Sequence, residues 1–255
     1  MIEAVLRRDR ALVLGGLAVV TGLAWLYLAV LAAGMDGMSG VAAMEIRPWS
    51  ATDFAVVVLM WAVMQVGMMI PGAAPTILLY ALVSRKRREK GGSVASVGAF
   101  VLGYVLVWSA FSVVAASAQW GLQQAALVSP TMVSSSPILG GILLIAAGAY
   151  QWTPVKNACL GHCRTPMDFL TRRWRRGAGG ATVMGIEHGA YCVGCCWVLM
   201  LLLFVGGVMN LLWIAAIAIF VLIEKVAPFG AATGRVTGIL LILSGAAFIA
   251  QHQVL

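Results

Sequence analysis

The chain has 255 residues, of which 62% are hydrophobic and 10% are charged, and its mean hydropathy is +0.96. Soluble domains carry about 25% charged residues, so this composition excludes a soluble protein and predicts a polytopic membrane protein. The net charge of +8 does not indicate nucleic-acid binding, because Lys and Arg positions in a membrane protein report on topology instead. We expect residues 1–255 to form one integral membrane domain surrounded by lipid.

The apolar segments predict an all-α membrane bundle of about seven transmembrane helices. The first segment is long enough to cross a bilayer, which takes about 20 residues, and has no convincing cleavage site, so we expect it to remain as a helix. Pro71 and Pro75 are expected to break the second segment. The seven segments are Ala11–Ala33, Asp53–Val83, Ser93–Ala118, Pro137–Trp152, Val183–Val205, Asn210–Glu224 and Thr233–Ala250.

The distribution of Lys and Arg predicts that the amino terminus is cytoplasmic. With that orientation, seven spans place every Lys and Arg except Arg47 on the inner side. This agrees with the general excess of these residues in cytoplasmic loops. The main basic segments are RKRREK at residues 85–90 and the connection at residues 153–182.

The fifth segment contains the side chains best suited to binding a ligand. Its sequence, MGIEHGAYCVGCCWVLM, places an imidazole and three thiols in an apolar run, where such groups are rare and usually functional. At about 100° per residue, His188, Cys192 and Cys195 lie within about 60° of one another, with Cys196 beside them. We therefore predict a metal site on this face. The alternative is that the cysteines only pack as small hydrophobic residues.

The motif CLGHC supplies three further candidate ligands, Cys159, His162 and Cys163, on the same predicted side of the membrane. Its CxxxC spacing differs from the CxxC of zinc knuckles, so the motif gains weight mainly from its proximity to the fifth segment. No cysteine is predicted on the outer side, which argues against a structural disulfide. Thiolate and imidazole ligands favour Zn(II) or Cu(I) over Mg(II) or Ca(II).

Methionines of the second segment form another group of candidate ligands. Met60, Met64 and Met68 recur at intervals of four, and Met69 follows just before Pro71. Such a stripe is more often core packing than a series of ligands, although thioethers also bind Cu(I).

The loop after the first segment is also rich in methionine, with Met35, Met38 and Met44 near Asp36 and Glu45. Thioethers remain competent to bind Cu(I) in an oxidising compartment, where thiols are lost. Met35 and Met38 are therefore candidate ligands on the outer side, and are equally consistent with anchors at the membrane interface.

Four other polar residues lie near the membrane segments. Glu187 lies about 100° from His188, so we expect it to fix a neighbouring helix or a proton instead of binding the same metal. Glu224 and Lys225 end the sixth segment, where we expect an exposed ion pair that reaches the interface. Asn210 is expected to cap the start of that segment.

Taken together, these motifs resemble a family of uncharacterised bacterial integral membrane proteins described as predicted metal-binding. The resemblance extends over residues 55–250 and rests on MQVGMMIPGAAP, YQWTPVKNACLGHCRTP, GIEHGAYCVGCCWVLM, NLLW and the later EK pair. It implies a multi-helix fold in the bacterial inner membrane, and it names neither the metal nor a reaction. The ligands it implies are Cys159, His162, Cys163, His188, Cys192, Cys195 and Cys196.

The leading hypothesis is a protein that transports or delivers Cu(I), bound by methionines outside and by Cys and His within the membrane. In a second hypothesis, a structural zinc or copper site supports the assembly or maturation of a membrane oxidase or monooxygenase, and the chain acts within a complex or a homo-oligomer. A third is thiol redox chemistry by the adjacent Cys195 and Cys196. No catalytic residue is assigned, and without a GxxxxGKS or GxxxxGKT motif ATP-driven pumping is not predicted.

Overall fold

The computed structural model of the protein describes residues 2–38, 49–89, 96–127 and 136–253, with side chains described except at residues 2–9, 35–38 and 252–253. All regular secondary structure in these ranges is α-helical, as the composition predicts. The helices are α1 (Ile2–Met38), α2 (Ala51–Arg88), α3 (Val97–Gln124), α4 (Pro137–Tyr150), α5 (Pro154–Arg164), α6 (Pro166–Arg172), α7 (Gly177–Leu201), α8 (Leu203–Gly206), α9 (Leu211–Val226) and α10 (Gly230–Gln253).

Within the described residues, five stretches are long and apolar enough to cross a membrane: parts of α1 and α10, all of α2 and α3, and α7 together with α8. Helices α4 and α5 meet at a bend of 63° and add a sixth if they count as one span. Helix α9 has 16 residues, fewer than the roughly 20 of a typical span. The described residues therefore form an all-α protein with five or six candidate spans, while the count of seven and the cytoplasmic amino terminus stay predictions.

Helix α2 continues through both of its prolines, so the predicted break is wrong. A proline removes the N–H that would bond the carbonyl four residues earlier. For Pro71 that carbonyl belongs to Gly67, and the indole Nε1–H of Trp25 on α1 donates to it at 3.3 Å. A side chain of the neighbouring helix thus satisfies the backbone group that the proline frees, as the membrane interior requires.

Helix α1 is longer than predicted, and Met35 and Met38 belong to its carboxyl end where the sequence predicts a loop. The side chains of these two methionines, and all of Met44 and Glu45, lie outside the described part of the chain. The basic connection at residues 153–182 contains the helices α5 and α6. Each begins with a proline at its first turn, where no backbone N–H is needed.

A tight turn joins α8 to α9. Gly207 has a φ of 96°, a left-handed conformation that glycine adopts without steric cost. Asn210 follows as the predicted helix cap, and this prediction is confirmed because its Oδ1 accepts the Trp213 N–H at 3.2 Å. The turn brings α9 back against α2 and α7.

Glycine allows two helix pairs to approach closely. Helix α3 packs mainly on α7, and a Cβ at Gly103 or Gly185 would overlap the backbone of the facing helix. Helix α4 packs mainly on α10 through Gly141 and Gly148 in the same way. Close van der Waals contact of this kind drives association in lipid, which offers no hydrophobic gain. The α3–α7 pair positions the site, because it brings Tyr104 beside α7.

Candidate metal centre

The cysteines of α7 lie inside the bundle and are joined there by a cysteine of α5. Cys192, Cys195 and Cys196 are all buried. The thiol of Cys163 lies close to that of Cys195, which in turn lies close to the thiols of Cys192 and Cys196. We call this group of four side chains, all free cysteines, the thiol cluster. The predicted face of α7 is thus complemented by one residue of the CLGHC motif.

A thioether lies at one edge of the thiol cluster. The Sδ atom of Met69 on α2 is 3.9 Å from the Sγ atom of Cys196, and both side chains are almost fully buried. The thiols of Cys195 and Cys196 donate to the backbone carbonyl of Cys192 at 3.1 and 2.8 Å. Three helices, α2, α5 and α7, therefore contribute sulfur atoms to one buried place.

Cys192 has two polar partners from other helices. The Oη atom of Tyr104 on α3 lies 3.0 Å from its Sγ atom and also donates to the Met69 carbonyl at 3.1 Å. The ammonium of Lys225 on α9 donates to the same sulfur at 2.8 Å, and this lysine is only 6% exposed. Among the described residues, no carboxylate lies within ion-pair distance of Lys225. A buried cation therefore faces the thiol cluster.

The expected exposed ion pair of Glu224 and Lys225 is wrong. Both residues are buried, and successive residues on a helix point about 100° apart, so they meet different helices. Both carboxylate oxygens of Glu224 accept from the ammonium of Lys156 at 2.8 Å, and the side chain of Gln151 accepts from it as well.

The guanidinium of Arg164 strengthens this link between α5 and α9. It donates at 2.9–3.0 Å to the carbonyl of Glu224, in the last turn of α9, and to the carbonyls of Ala227 and Pro228, just beyond the helix. The α5–α9 ion network, meaning Lys156, Glu224 and Arg164 with these contacts, fixes α5 in place. It thereby holds Cys163 next to α7.

His188 is buried one helical turn before Cys192. Its ring lies among the rings of Phe100, Tyr104 and Phe169, at centroid distances of 5.5–6.0 Å. Its Nδ1 atom has no hydrogen-bond partner among the described residues. Buried polar atoms in native proteins almost always have a partner, so this nitrogen is available to a ligand.

The other two residues of CLGHC lie apart from the thiol cluster. His162 is exposed, its Nδ1 bonds the Ala158 carbonyl at 2.9 Å, and its ring stacks on Tyr191 with centroids 4.1 Å apart. Cys159 is half-buried and packs on Gly194, where a Cβ would lie 2.7 Å from its Sγ atom. On α5 only Cys163 reaches the buried sulfur atoms.

The remaining predicted residues are also placed by the structure. Glu187 pairs with Arg175 at 3.0 Å, which ties α7 to the segment just before it, while its predicted role in fixing a neighbouring helix or a proton stays a prediction. Met60, Met64 and Met68 are buried in the core of the bundle. Of the four methionines on α2, Met69 is the one whose sulfur accepts a hydrogen bond from a thiol within the described part of the chain.

The sequence reasoning missed three residues of the site: Tyr104, Lys156 and Lys225. The two lysines are recognisable in the sequence, since a cation in or beside an apolar helix needs a partner. Tyr104 is not, because it lies 88 positions from Cys192 along the chain and aromatic residues are common in membrane helices.

The donor set fits a soft ion. Among the described residues, no three His, Cys, Asp or Glu side chains are arranged as a preformed metal site. The atoms that converge are sulfurs, and thiolate and thioether ligands select Cu(I). Two sulfurs that each bind one ion at about 2.3 Å lie about 3.8 to 4.0 Å apart in tetrahedral or trigonal geometry, and Cys196 and Met69 are 3.9 Å apart. Zinc takes Cys, His and carboxylate ligands, so the thioether favours copper.

Comparison with known proteins agrees with this chemistry. No curated protein and no solved structure matches the chain. The model of the PpoB2 family, described as a copper chaperone, matches residues 58–248, a range that includes the whole thiol cluster, Met69, Tyr104 and Lys225. Because the match covers most of its length, the chain belongs to the PpoB2 copper chaperone family.

Proposed function

We propose that the protein holds Cu(I) as its cargo at the thiol cluster inside the membrane and delivers it to a partner copper protein. The observation that carries the proposal is the approach of a buried thioether, Met69, to within 3.9 Å of a buried thiol, Cys196, beside three further thiols. Membership of a copper chaperone family supports the choice of metal.

In this proposal, Cys192, Cys196 and Met69 bind the ion. These three side chains come from two helices that pack around Tyr104, and each offers a sulfur donor of the kind that Cu(I) prefers. Cys195 and Cys163 form a second pair of thiols close to the first. Copper remains Cu(I) throughout, and delivery exchanges one sulfur ligand for another without a change of oxidation state.

The other candidate ligands are proposed to bind the ion on its way to the thiol cluster. Met60, Met64 and Met68 lead along α2 towards Met69, which supports a path of thioethers through the core. Met35 and Met38 remain proposed collecting ligands at the carboxyl end of α1. His188, with its unpartnered Nδ1, is proposed as a further ligand one turn from Cys192.

A structural zinc or copper site in an assembly factor is the second candidate function. The observation in its favour is the α5–α9 ion network, which fixes α5 beside α7 where a structural metal would also act. The two functions differ in how the metal behaves. A structural metal stays bound while the fold persists, whereas cargo transfers to an acceptor.

The first experiment measures metal bound to the full-length protein, purified in nanodiscs under anaerobic, reducing conditions and loaded with Cu(I). We expect about one tightly held copper ion per chain and an X-ray absorption spectrum dominated by sulfur at about 2.3 Å. Cys196→Ser should remove most of the tightly bound copper, because a hydroxyl is a poor ligand for a soft ion.

Cys159→Ser is the matched control, since it makes the same chemical change at a cysteine that packs on Gly194 outside the thiol cluster. It should keep the copper of the wild type. Equal copper in the Cys196→Ser variant, or zinc retained in preference to copper, would contradict the proposal. Transfer of the bound copper to a soluble Cu(I) chelator while the fold persists would separate cargo from a structural metal.

A further inference from the structure

The binding of copper by sulfur ligands does not by itself explain the buried charge of Lys225. Its ammonium donates to Cys192 Sγ at 2.8 Å, and its stem passes along α2 at Gly72, where a Cβ would lie 3.0 Å from the lysine Cδ atom. A larger residue at position 72 would displace the stem. The side chain is thus seated by a groove on one helix and aimed at a sulfur on another.

The other buried charges near the site cancel. Lys156 and Glu224 form a closed pair at 2.8 Å, so their sum is zero. Arg164 is directed to backbone carbonyls at the end of α9. Among the described residues that surround the thiol cluster, Lys225 is therefore the cation that a bound ligand must balance, because an uncompensated charge in a low-dielectric interior is costly.

We propose that Lys225 is the counter-charge of the loaded site and that copper is held there as a two-thiolate Cu(I) complex. This rests on the proposed function and specifies its bound species. Thiols bind metals as thiolates, so the two thiols give up two protons, to the leaving ligands of the copper donor or to solvent, and one Cu(I) ion with two thiolates carries a single negative charge. The ammonium of Lys225 cancels that charge. One thiolate would leave a net positive site and three would leave a net negative one.

The geometry identifies the ligands of this complex. Cys192, the sulfur that Lys225 touches, and Cys196, the sulfur next to Met69, supply the two thiolates. Met69 is a neutral third ligand and leaves the charge unchanged. The Tyr104 hydroxyl lies within reach of both the Cys192 sulfur and the Met69 carbonyl, so in the loaded site its single hydrogen turns from the carbonyl to the thiolate and orients that sulfur. Lys225 is in this sense a positioning residue that acts through Cys192.

The test measures Cu(I) affinity of the full-length protein in nanodiscs by competition with a colorimetric Cu(I) chelator. Lys225→Met should lower the affinity about 100-fold, because it leaves a buried charge without its partner. Lys225→Arg keeps the cation and should lose at most about tenfold. Lys86→Met, at an exposed lysine on α2, should bind as tightly as the wild type.

A double variant separates charge balance from a structural effect. Cys192→Met replaces one thiolate with a neutral thioether, so the Lys225→Met/Cys192→Met protein again has no net charge when loaded. It should bind Cu(I) more tightly than either single variant. Additive losses in the double variant, or wild-type affinity in Lys225→Met, would overturn the role of Lys225. Absence of tightly bound copper in the wild type would instead refute the proposed function itself.

Discussion

Two buried lysines lie close to the same helix end and meet different partners. Lys156 is 1% exposed and faces both oxygens of the Glu224 carboxylate, whereas Lys225 is 6% exposed and faces the sulfur of Cys192. The charges of Lys156 and Glu224 cancel within the protein. Lys225 places a full positive charge against a weakly acidic thiol. One lysine therefore holds helices together, whereas the other, under the proposed function, balances the charge of an anionic metal complex.

Breaking the ion pair between Lys156 and Glu224 should have the largest effect of all, and it should appear in the stability of the fold. Lys156→Met leaves the Glu224 carboxylate buried without its cation, and we expect a loss of about 3–5 kcal/mol of stability. Thermal unfolding followed by tryptophan fluorescence would show it as a lower melting temperature. Lys156→Met/Glu224→Met replaces both partners with apolar groups of similar length and should recover most of that loss. A double variant as unstable as the single one would contradict a closed pair.

A Tyr104→Phe variant should have an intermediate effect, and it tests the contacts of Cys192 in the thiol cluster through the affinity for Cu(I). It removes one hydroxyl that contacts the Cys192 sulfur and the Met69 carbonyl, worth about 1 kcal/mol. Cu(I) affinity should therefore fall about fivefold, measured with the same chelator. Tyr27→Phe is the matched control, because that tyrosine is 37% exposed on α1. A loss in the control equal to that in Tyr104→Phe would remove the specific role of the hydroxyl.

His162→Ala should have the smallest effect on copper. Its ring is exposed and stacks on Tyr191, away from the thiol cluster, so elemental analysis should show wild-type copper content. A marked loss of copper in this variant would mean that CLGHC binds the ion as a unit and that the buried sulfurs are not its main ligands.

Much of the fold follows from local properties of the chain. Long apolar runs predict helices, and the Asn210 cap is visible because a side-chain acceptor precedes an apolar helix. The continuity of α2 through Pro71 was not predictable in this way. It depends on Trp25, a donor from another helix that lies 42 positions away in sequence, and no local pattern encodes such a contact.

In the candidate site, too, some features follow from the local sequence and others depend on long-range contacts. Helical periodicity places Cys192, Cys195 and Cys196 on one face, and the structure buries all three. Spacing could not decide which residue of CLGHC turns inward, because α5 is fixed by the contacts of Lys156 and Arg164 with α9. The same long-range contacts explain why Glu224 and Lys225, adjacent in sequence, belong to different networks.

The thiols of Cys195 and Cys196 donate to the backbone carbonyl of Cys192. Under the proposed function, an arriving ion competes with one weak S–H contact for each sulfur, and a thiol needs only a turn about its Cα–Cβ bond to change partner. Side-chain turns are far faster than helix motions, which take microseconds to milliseconds. The speed of uptake would then be set by how soon copper reaches the interior.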